Sequence, residues 1–346
     1  MSWRITYRVL ISCCCLFAVI QVSAQQRPYY SQYILNNYII NPALAGIENY
    51  TDIKLSHRRQ WTGIADAPVT TYLTMHAPLK KDDYGRETVN TFYPYGENPL
   101  GRANWRDYNN NEPHHGVGLT FLNDVTGPLS RIALQGTYAY HMSVAPGLML
   151  SGGVSVGFTQ LRLDATKLNF GDINLDPAVS NSGVLNRMRP DISAGFWLYS
   201  SRFFAGLSVQ QLVPQQVAFS DNNVYLENSR LLPHTFLSFG YRFNITDEVT
   251  MLPSAQIRYI SPLPIGVDLN VKFRYLDQLW VGGSYRHKEG GAAMAGIKLN
   301  TSWHLGYAYE MATNNTLNTF ARGSHELTIG FLLGNKVVDW TPRNVW

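Results

Sequence analysis

The sequence predicts an all-β fold, a transmembrane antiparallel β-barrel of about 14 strands with an N-terminal non-strand segment packing in or at the barrel. Three observations carry this expectation. Short segments in which apolar and polar residues alternate with period two recur along almost the whole chain, and an apolar leader precedes them. Aromatic residues make up 13% of the chain, 21 of them tyrosines, and many stand at segment ends, where an amphipathic ring suits a membrane interface.

The leader comes first. Arg4 and Arg8 supply a basic start, Val9 to Val22 an apolar stretch, and Val22-Ser23-Ala24 a small-residue cleavage site, so residues 1–24 read as a secretory signal peptide. Cleavage is expected between Ala24 and Gln25, after export by the Sec pathway. A lipoprotein signal ending at Cys13 is disfavoured, because only Val9 to Ser12 would remain as its apolar part. Cys13, Cys14 and Cys15, the three cysteines of the chain, all fall in the leader, so the mature protein is expected to hold neither a disulfide nor a thiolate metal site. No later segment has the 18 consecutive apolar residues of a membrane-spanning helix.

Residues 25–48 do not alternate. Pro28, Pro42 and Gly46 punctuate them, and amides at Gln32, Asn36, Asn37 and Asn41 stand beside aromatics such as Tyr33. That mixture suits packing in a polar barrel interior or across its rim, while a disordered tail is disfavoured by the apolar content. Asn41-Pro42 is a turn initiator, and Gly46 can adopt positive φ.

The barrel is expected over residues 49–334. Strand candidates lie at about 49–62, 68–79, 114–125, 130–144, 147–162, 188–200, 202–213, 231–246, 248–261, 263–276, 278–288, 290–300, 301–312 and 322–334. In the tenth, Val267, Leu269, Val271, Phe273 and Tyr275 form an apolar face, with Asp268, Asn270, Lys272 and Arg274 between them. Side chains alternate across a strand, so one face meets lipid and the other a wet lumen. Leu237, Phe239, Tyr241 and Phe243 stand likewise against Ser238, Gly240 and Arg242. Trp303, Leu305, Tyr307 and Tyr309 stand against His304, Gly306, Ala308 and Glu310, and Leu327, Ile329 and Phe331 against Glu326, Thr328 and Gly330. Arg242, Asp268, Lys272, Arg274 and Glu310 are therefore expected in the lumen, as a salt-bridged plug or the lining of a water path. Tyr138, Tyr140, Trp197, Tyr199, Tyr259, Tyr275 and Trp280 are expected in interface girdles.

Tight joins such as Ser200-Ser201 and Asp277-Gln278 contrast with long polar connections at 80–113, 163–187 and 214–230. Counted from a periplasmic N-terminus, the first of these is expected outside and the other two on the periplasmic face, where such bulk could receive a partner. Residues 335–346 form a C-terminal tail.

The chemistry excluded is broad. Removing Arg4 and Arg8 reduces 28 basic residues to 26 against 24 acidic ones, too small an excess, and too dispersed, to imply nucleic acid. No phosphate-binding loop, dinucleotide fingerprint or metalloprotease motif is present, so no cofactor is expected. His114-His115 has no nearby third ligand, and Asp172-Ile173-Asn174-Leu175-Asp176 lacks the Gly and closing Glu of a calcium loop. Ser324 and His325 invite thought of an outer-membrane hydrolase, but neighbours on a strand face opposite ways. No catalytic residue and no metal ligand is expected.

Ser31-Gln32-Tyr33, Asn41-Pro42-Ala43 with Ala45-Gly46, and Arg58-Arg59-Gln60-Trp61-Thr62-Gly63 with Pro68 occur in an order and spacing that resemble the opening of the PorP/SprF membrane proteins of the type IX secretion system. Leu168-Asn169-Phe170-Gly171-Asp172 and the strands to about residue 334 are similar to that family as well. The resemblance implies a non-enzymatic outer-membrane barrel of Bacteroidota in secretion or gliding motility. Its implied partners are a large secreted surface adhesin or periplasmic components of the machine, with outer-membrane lipid around it. Gln32, Tyr33, Asn41, Pro42, Gly46, Arg59, Gln60 and Trp61 are the candidate plug or partner-contact residues, although anchoring of the first strand explains the Arg59 to Trp61 block equally well. The competing function is a porin or hydrophobic-solute transporter.

Overall fold

The computed structural model describes residues 30–334, apart from 49, 80–112, 146, 165–166, 168–183, 201, 214, 217–229, 247, 262, 277, 301 and 313–319. The expected cleavage site Ala24/Gln25, the Asp172–Asp176 stretch and the C-terminal tail lie outside the described residues.

Fourteen strands form the wall. They are β1 (Thr51–Arg59), β2 (Val69–Leu79), β3 (His114–Thr126), β4 (Leu129–Ala145), β5 (Leu148–Asp164), β6 (Val184–Ser200) and β7 (Phe203–Gln210). Then come β8 (His234–Tyr241, resuming at Phe243–Asn244), β9 (Val249–Tyr259), β10 (Gly266–Tyr275), β11 (Leu279–Arg286), β12 (Gly290–Lys298), β13 (Trp303–Ala312) and β14 (Ser324–Leu333). Every strand pairs antiparallel with its neighbours in sequence. The ring closes where β1 pairs β14, from Thr51 opposite Leu333 to Arg59 opposite His325. Closure removes the sheet edges, so no row of backbone amides is left facing lipid. A two-residue hairpin, Gln215–Gln216 with Arg230–Leu231, lies within the connection from β7 to β8.

The alternation expected from sequence is realised with the polar side inward. On β10, Leu269 is 52% exposed on the outer face while Asp268 is 4% exposed, and Asn270 and Lys272 are similarly buried. Phe239, Tyr241, Trp303, Tyr307 and Leu327 face outward, and Ser238, Arg242, Ala308, Glu326 and Thr328 inward. The aromatic girdles are only partly realised. Tyr138, Tyr140, Tyr259 and Tyr275 are exposed on the outer face, but Trp197 and Tyr199 are buried in the lumen, and Trp280 packs against the buried luminal cluster. Their parity decides this. Trp197 stacks on Phe204 at 4.8 Å, filling lumen where the interior of the wall would otherwise be hollow.

The chain directions correct the expected sidedness of the long connections. A chain that begins β1 at one mouth reaches the other mouth at its end, so all connections after odd-numbered strands share the mouth opposite the start of β1. After β2 come residues 80–113, but the other connections on that side are short turns, such as 276–278 between β10 and β11. β5 and β7 end, and β6 and β8 begin, at the opposite mouth, so the long gaps in sequence between them open there. Bacterial barrels keep short turns on the periplasmic side. The mouth where β1 begins is therefore periplasmic, so β5 and β7 end on the external side and β2 ends on the periplasmic side, the reverse of the expected sidedness.

Candidate functional site: a luminal plug held at both ends

Residues 30–48 are not strand, and they pack inside the barrel. Two short 3-10 turns, Asn37–Ile39 and Pro42–Leu44, give the segment its compact course. Asn41 caps the second by accepting the Ala43 amide proton at 3.0 Å, with Pro42 at the first turn position, where a missing N–H costs nothing. Apolar side chains on both sides of the segment enter buried clusters. Tyr38, Ala43, Leu44 and Ala45 join Met149, Trp197 and Phe204, while Tyr33, Ile34 and Ile39 join Tyr72, Leu122 and Phe236. Where Tyr33 and Asn37 face Ser238 and Lys272, the gap is about 10 Å³, at the lower limit for a single water.

The segment runs from the outer mouth to the periplasmic one, and its bonds can be followed along that course. At the outer end a charge network holds it. The Ser31 amide donates to the Glu326 carboxylate at 2.7 Å and the Gln32 amide at 3.4 Å, while Gln32 Nε2 donates to the Glu326 carbonyl at 2.7 Å. Tyr72 Oη donates to the same carboxylate at 2.8 Å. Arg58 Nε donates to Ser31 Oγ at 3.0 Å and lies 3.6 Å from Glu326, and its Nη2 reaches Glu310 at 3.0 Å. Glu310 also accepts from Ser31 Oγ at 2.7 Å and from Arg286 at 2.9 Å. Arg286 further donates to the Tyr30 carbonyl at 3.2 Å and faces Asp268 at 3.6 Å. Glu326 is 0% exposed, and a buried polar group of this kind is held only where hydrogen bonds and opposite charges surround it.

Midway, Tyr33 accepts a hydrogen bond from Asn270, Asn36 Nδ2 donates to Thr74 Oγ1 at 2.8 Å, and Tyr38 Oη donates to Thr137 at 2.8 Å. Asn41 Nδ2 donates to the Phe196 carbonyl at 3.0 Å and the Leu207 carbonyl at 3.3 Å.

At the periplasmic end the hold is different. His141 Nε2 meets the Ala45 carbonyl at 2.7 Å, His114 Nε2 meets the Gly46 carbonyl at 3.1 Å, and the Gly46 amide donates to His76 at 3.4 Å. The rings of His114 and His141 stack at 4.4 Å. Backbone packs directly on backbone here. Gly46 sits at φ +75, and a Cβ on Gly116 would lie 1.9 Å from the Ala45 carbonyl oxygen, so both positions require glycine.

The sequence-predicted residues divide accordingly. Gln32, Tyr33, Asn41, Pro42 and Gly46 all lie in the plug and contact or pack against the wall. Asp268 and Glu310 face the lumen and meet the outer-end network, whereas Lys272 is buried at mid-height and Arg242 and Arg274 lie toward the periplasmic mouth. Gln60 and Trp61 belong to the connection after β1. The Gln60 amide donates to the Pro68 carbonyl at 2.9 Å, and the Trp61 amide to Ser324 Oγ at 3.2 Å. Arg59, exposed at the end of β1, does not meet the plug network; its neighbour Arg58 does. Alternation also separates His114 from His115, which is on the outer face against Tyr138, and Ser324 from His325, whose ring meets Tyr307. Among the described residues no group of three metal-ligating side chains comes together, and no helix is long and apolar enough to cross a membrane.

Sequence reasoning did not assemble Arg58, Tyr72, Arg286 and Glu326 as one network, nor His76, His114 and His141 as one clasp. The available signal was parity: each is a polar residue on the inward face of its strand.

A family model described as "Type IX secretion system membrane protein PorP/SprF" matches residues 22–331. No curated protein sequence matches. Among solved structures, the barrel is similar to the Ralstonia pickettii toluene transporter TbuX, with 10% identity over 85% of this chain and 92% of that one at a TM-score of 0.46. It is also similar to the Acinetobacter baumannii outer membrane protein Omp33, with 8% identity over 83% of this chain and 100% of that one at 0.45. A Pseudomonas aeruginosa FadL homologue shares 11% identity over 84% of this chain and 91% of that one at 0.44.

Proposed function

This chain belongs to the PorP/SprF family of type IX secretion system membrane proteins, and we propose that it is a non-enzymatic, plugged outer-membrane barrel that holds a secretion partner through its mouths. The partner is a large secreted surface protein at the outer mouth or a periplasmic component of the machine at the inner one. The observation that carries this reading is the plug. Residues 30–48 occupy the lumen and are bonded to the wall from Glu326 at one end to His114 and His141 at the other. A barrel whose lumen is occupied by its own chain offers its mouths, not its bore, for function.

The alternative, a porin or hydrophobic-solute transporter, requires the plug to move aside. That would break the buried charge network at the outer end or the backbone contacts at Gly46 and Gly116. Deletion of the gene, followed by quantification of secreted and surface-attached proteins, tests the proposal. It expects selective loss of one or a few large surface proteins, with co-isolation of those proteins or of periplasmic secretion components on the purified barrel. Intact secretion with lost uptake of a solute would overturn it.

A further inference from the structure

The lipid face of the barrel is not uniform. On β3 to β5 large outward side chains such as Leu119, Phe121, Tyr138 and Phe158 cover it. In the outer half of β10 to β13 that cover is broken. The antiparallel register sets Val271, Gly283, Ala293 and Tyr309 side by side, and sets Leu269, Tyr285, Gly291 and Met311 side by side one step nearer the outer mouth. Gly283, Gly291 and Ala293 thereby form the floor of a groove of about 630 Å³, with Leu269, Val271 and Tyr285 on one side and Tyr309 and Met311 on the other. The fold itself does not require these two glycines. A Cβ on Gly283 would come no nearer than 3.9 Å to the Ala292 carbonyl oxygen, and one on Gly291 no nearer than 3.5 Å to that of Ser284. Gly46 and Gly116, by contrast, are forced by the packing of the plug. Glycine weakens a strand, and within one it marks the close approach of a ligand or of another backbone.

The rim above the groove carries cations. His287 continues the outward face of β11 past Tyr285, and Lys288 follows at the tip of the turn, both exposed. Glu289, the acid of that turn, is engaged by Arg258 at 2.8 Å. Across the groove, Tyr309 Oη donates to the Arg322 carbonyl at 3.4 Å, and the Arg322 side chain is exposed. We infer that this groove binds the phosphorylated, multiply acylated glycolipid of the outer leaflet, with an acyl chain over Gly283, Gly291 and Ala293 and a phosphate held by His287, Lys288 and Arg322. An apolar bed beneath a basic rim matches both halves of such a lipid, because the chain has no polar group to satisfy and the phosphate takes charge-assisted hydrogen bonds. The position beside the external mouth selects the glycolipid of that leaflet over the phospholipid of the inner one. The site lies on the opposite face of the wall from the plug and is independent of the secretion role.

Native mass spectrometry of the full-length barrel, purified and stripped of lipid in mild detergent, tests the inference with monophosphoryl lipid A as probe and phosphatidylglycerol as competitor. The wild type is expected to retain lipid A against an equimolar amount of the competitor. Gly283→Leu with Ala293→Leu fills the groove, and Lys288→Glu with Arg322→Glu reverses the rim; each pair is expected to weaken binding about tenfold or more. Gly136→Leu, which adds a side chain to the lipid face of β4 where a Cβ would come no nearer than 3.9 Å to the Val156 carbonyl oxygen, is expected to bind as the wild type does. Heat-modifiable gel mobility verifies that each barrel is folded, and if the groove-filling pair does not fold the rim pair decides alone. Absence of lipid A from the wild type, or unchanged affinity in a folded groove or rim variant, would overturn the site. Equal retention of phosphatidylglycerol, lost in the same variants, would overturn the assignment to the glycolipid.

Discussion

The two ends of the plug are held by different physics. The outer end is held by charge, with Arg58 and Arg286 set among Glu310, Glu326 and Asp268 and the backbone amides of Ser31 and Gln32 turned onto Glu326. The periplasmic end is held by shape, with Gly46 seated on Gly116 and two stacked histidines on consecutive carbonyls. A charge network tolerates movement of its members but not loss of one, because the remaining charge stays buried. Backbone packing has the opposite sensitivity: it tolerates no added atom. The outer end of the plug is therefore the end that responds to competing charges.

Substitution breaks this comparison at either end. The largest effect is expected for Glu326→Leu, which removes the acceptor of Ser31, Gln32 and Tyr72 and leaves Arg58 with one carboxylate fewer. A loss of about 3–5 kcal/mol is expected, read as a lower urea midpoint of the detergent-solubilised barrel, with new protease cleavage within residues 30–40. Gly116→Val tests the other end. Its side chain would meet the Ala45 carbonyl, so about 1–3 kcal/mol of destabilisation is expected, with protease cleavage confined to residues near Gly46 and the outer network intact. A uniform release of the whole plug in both variants would contradict the separation of the two ends.

Leu269→Arg places a cation on the lipid face of β10. About 2–4 kcal/mol is expected for a cation near the middle of a lipid-facing strand, read in a lipid-refolding titration, without added protease cleavage in the plug. The smallest effect is expected for Asn36→Ala, which deletes one mid-plug hydrogen bond to Thr74 and should cost about 1 kcal/mol in the same urea titration.

Much of this architecture was legible in the sequence. All fourteen strand candidates correspond to wall strands, because a barrel between lipid and a polar lumen imposes period two on each strand and nothing else in the chain competes with it. Gly153 faces the plug, where a Cβ would lie 2.6 Å from the Ala43 Cα. The amides of residues 32–41 signalled a polar interior. Partner choice was not legible. Glu326 and Ser31 are 295 positions apart, and alternation says which face a residue takes but not which neighbour it meets across the bore. Trp197 and Tyr199 show the same gap, since an aromatic at a strand end suits an interface girdle and a luminal filler alike until parity around the closed ring is known.

The central claim is that residues 30–48 sit inside a closed barrel with a polar lumen, and a disulfide between plug and wall tests it most directly. In a background with Cys13, Cys14 and Cys15 replaced by serine, Asn36→Cys with Thr74→Cys joins two side chains that hydrogen-bond at 2.8 Å. The account predicts that this pair oxidises in the outer membrane of living cells and gives a folded barrel whose gel mobility after denaturation shifts on reduction. A folded, heat-modifiable barrel in which the two cysteines stay reduced and react freely with a maleimide would contradict it.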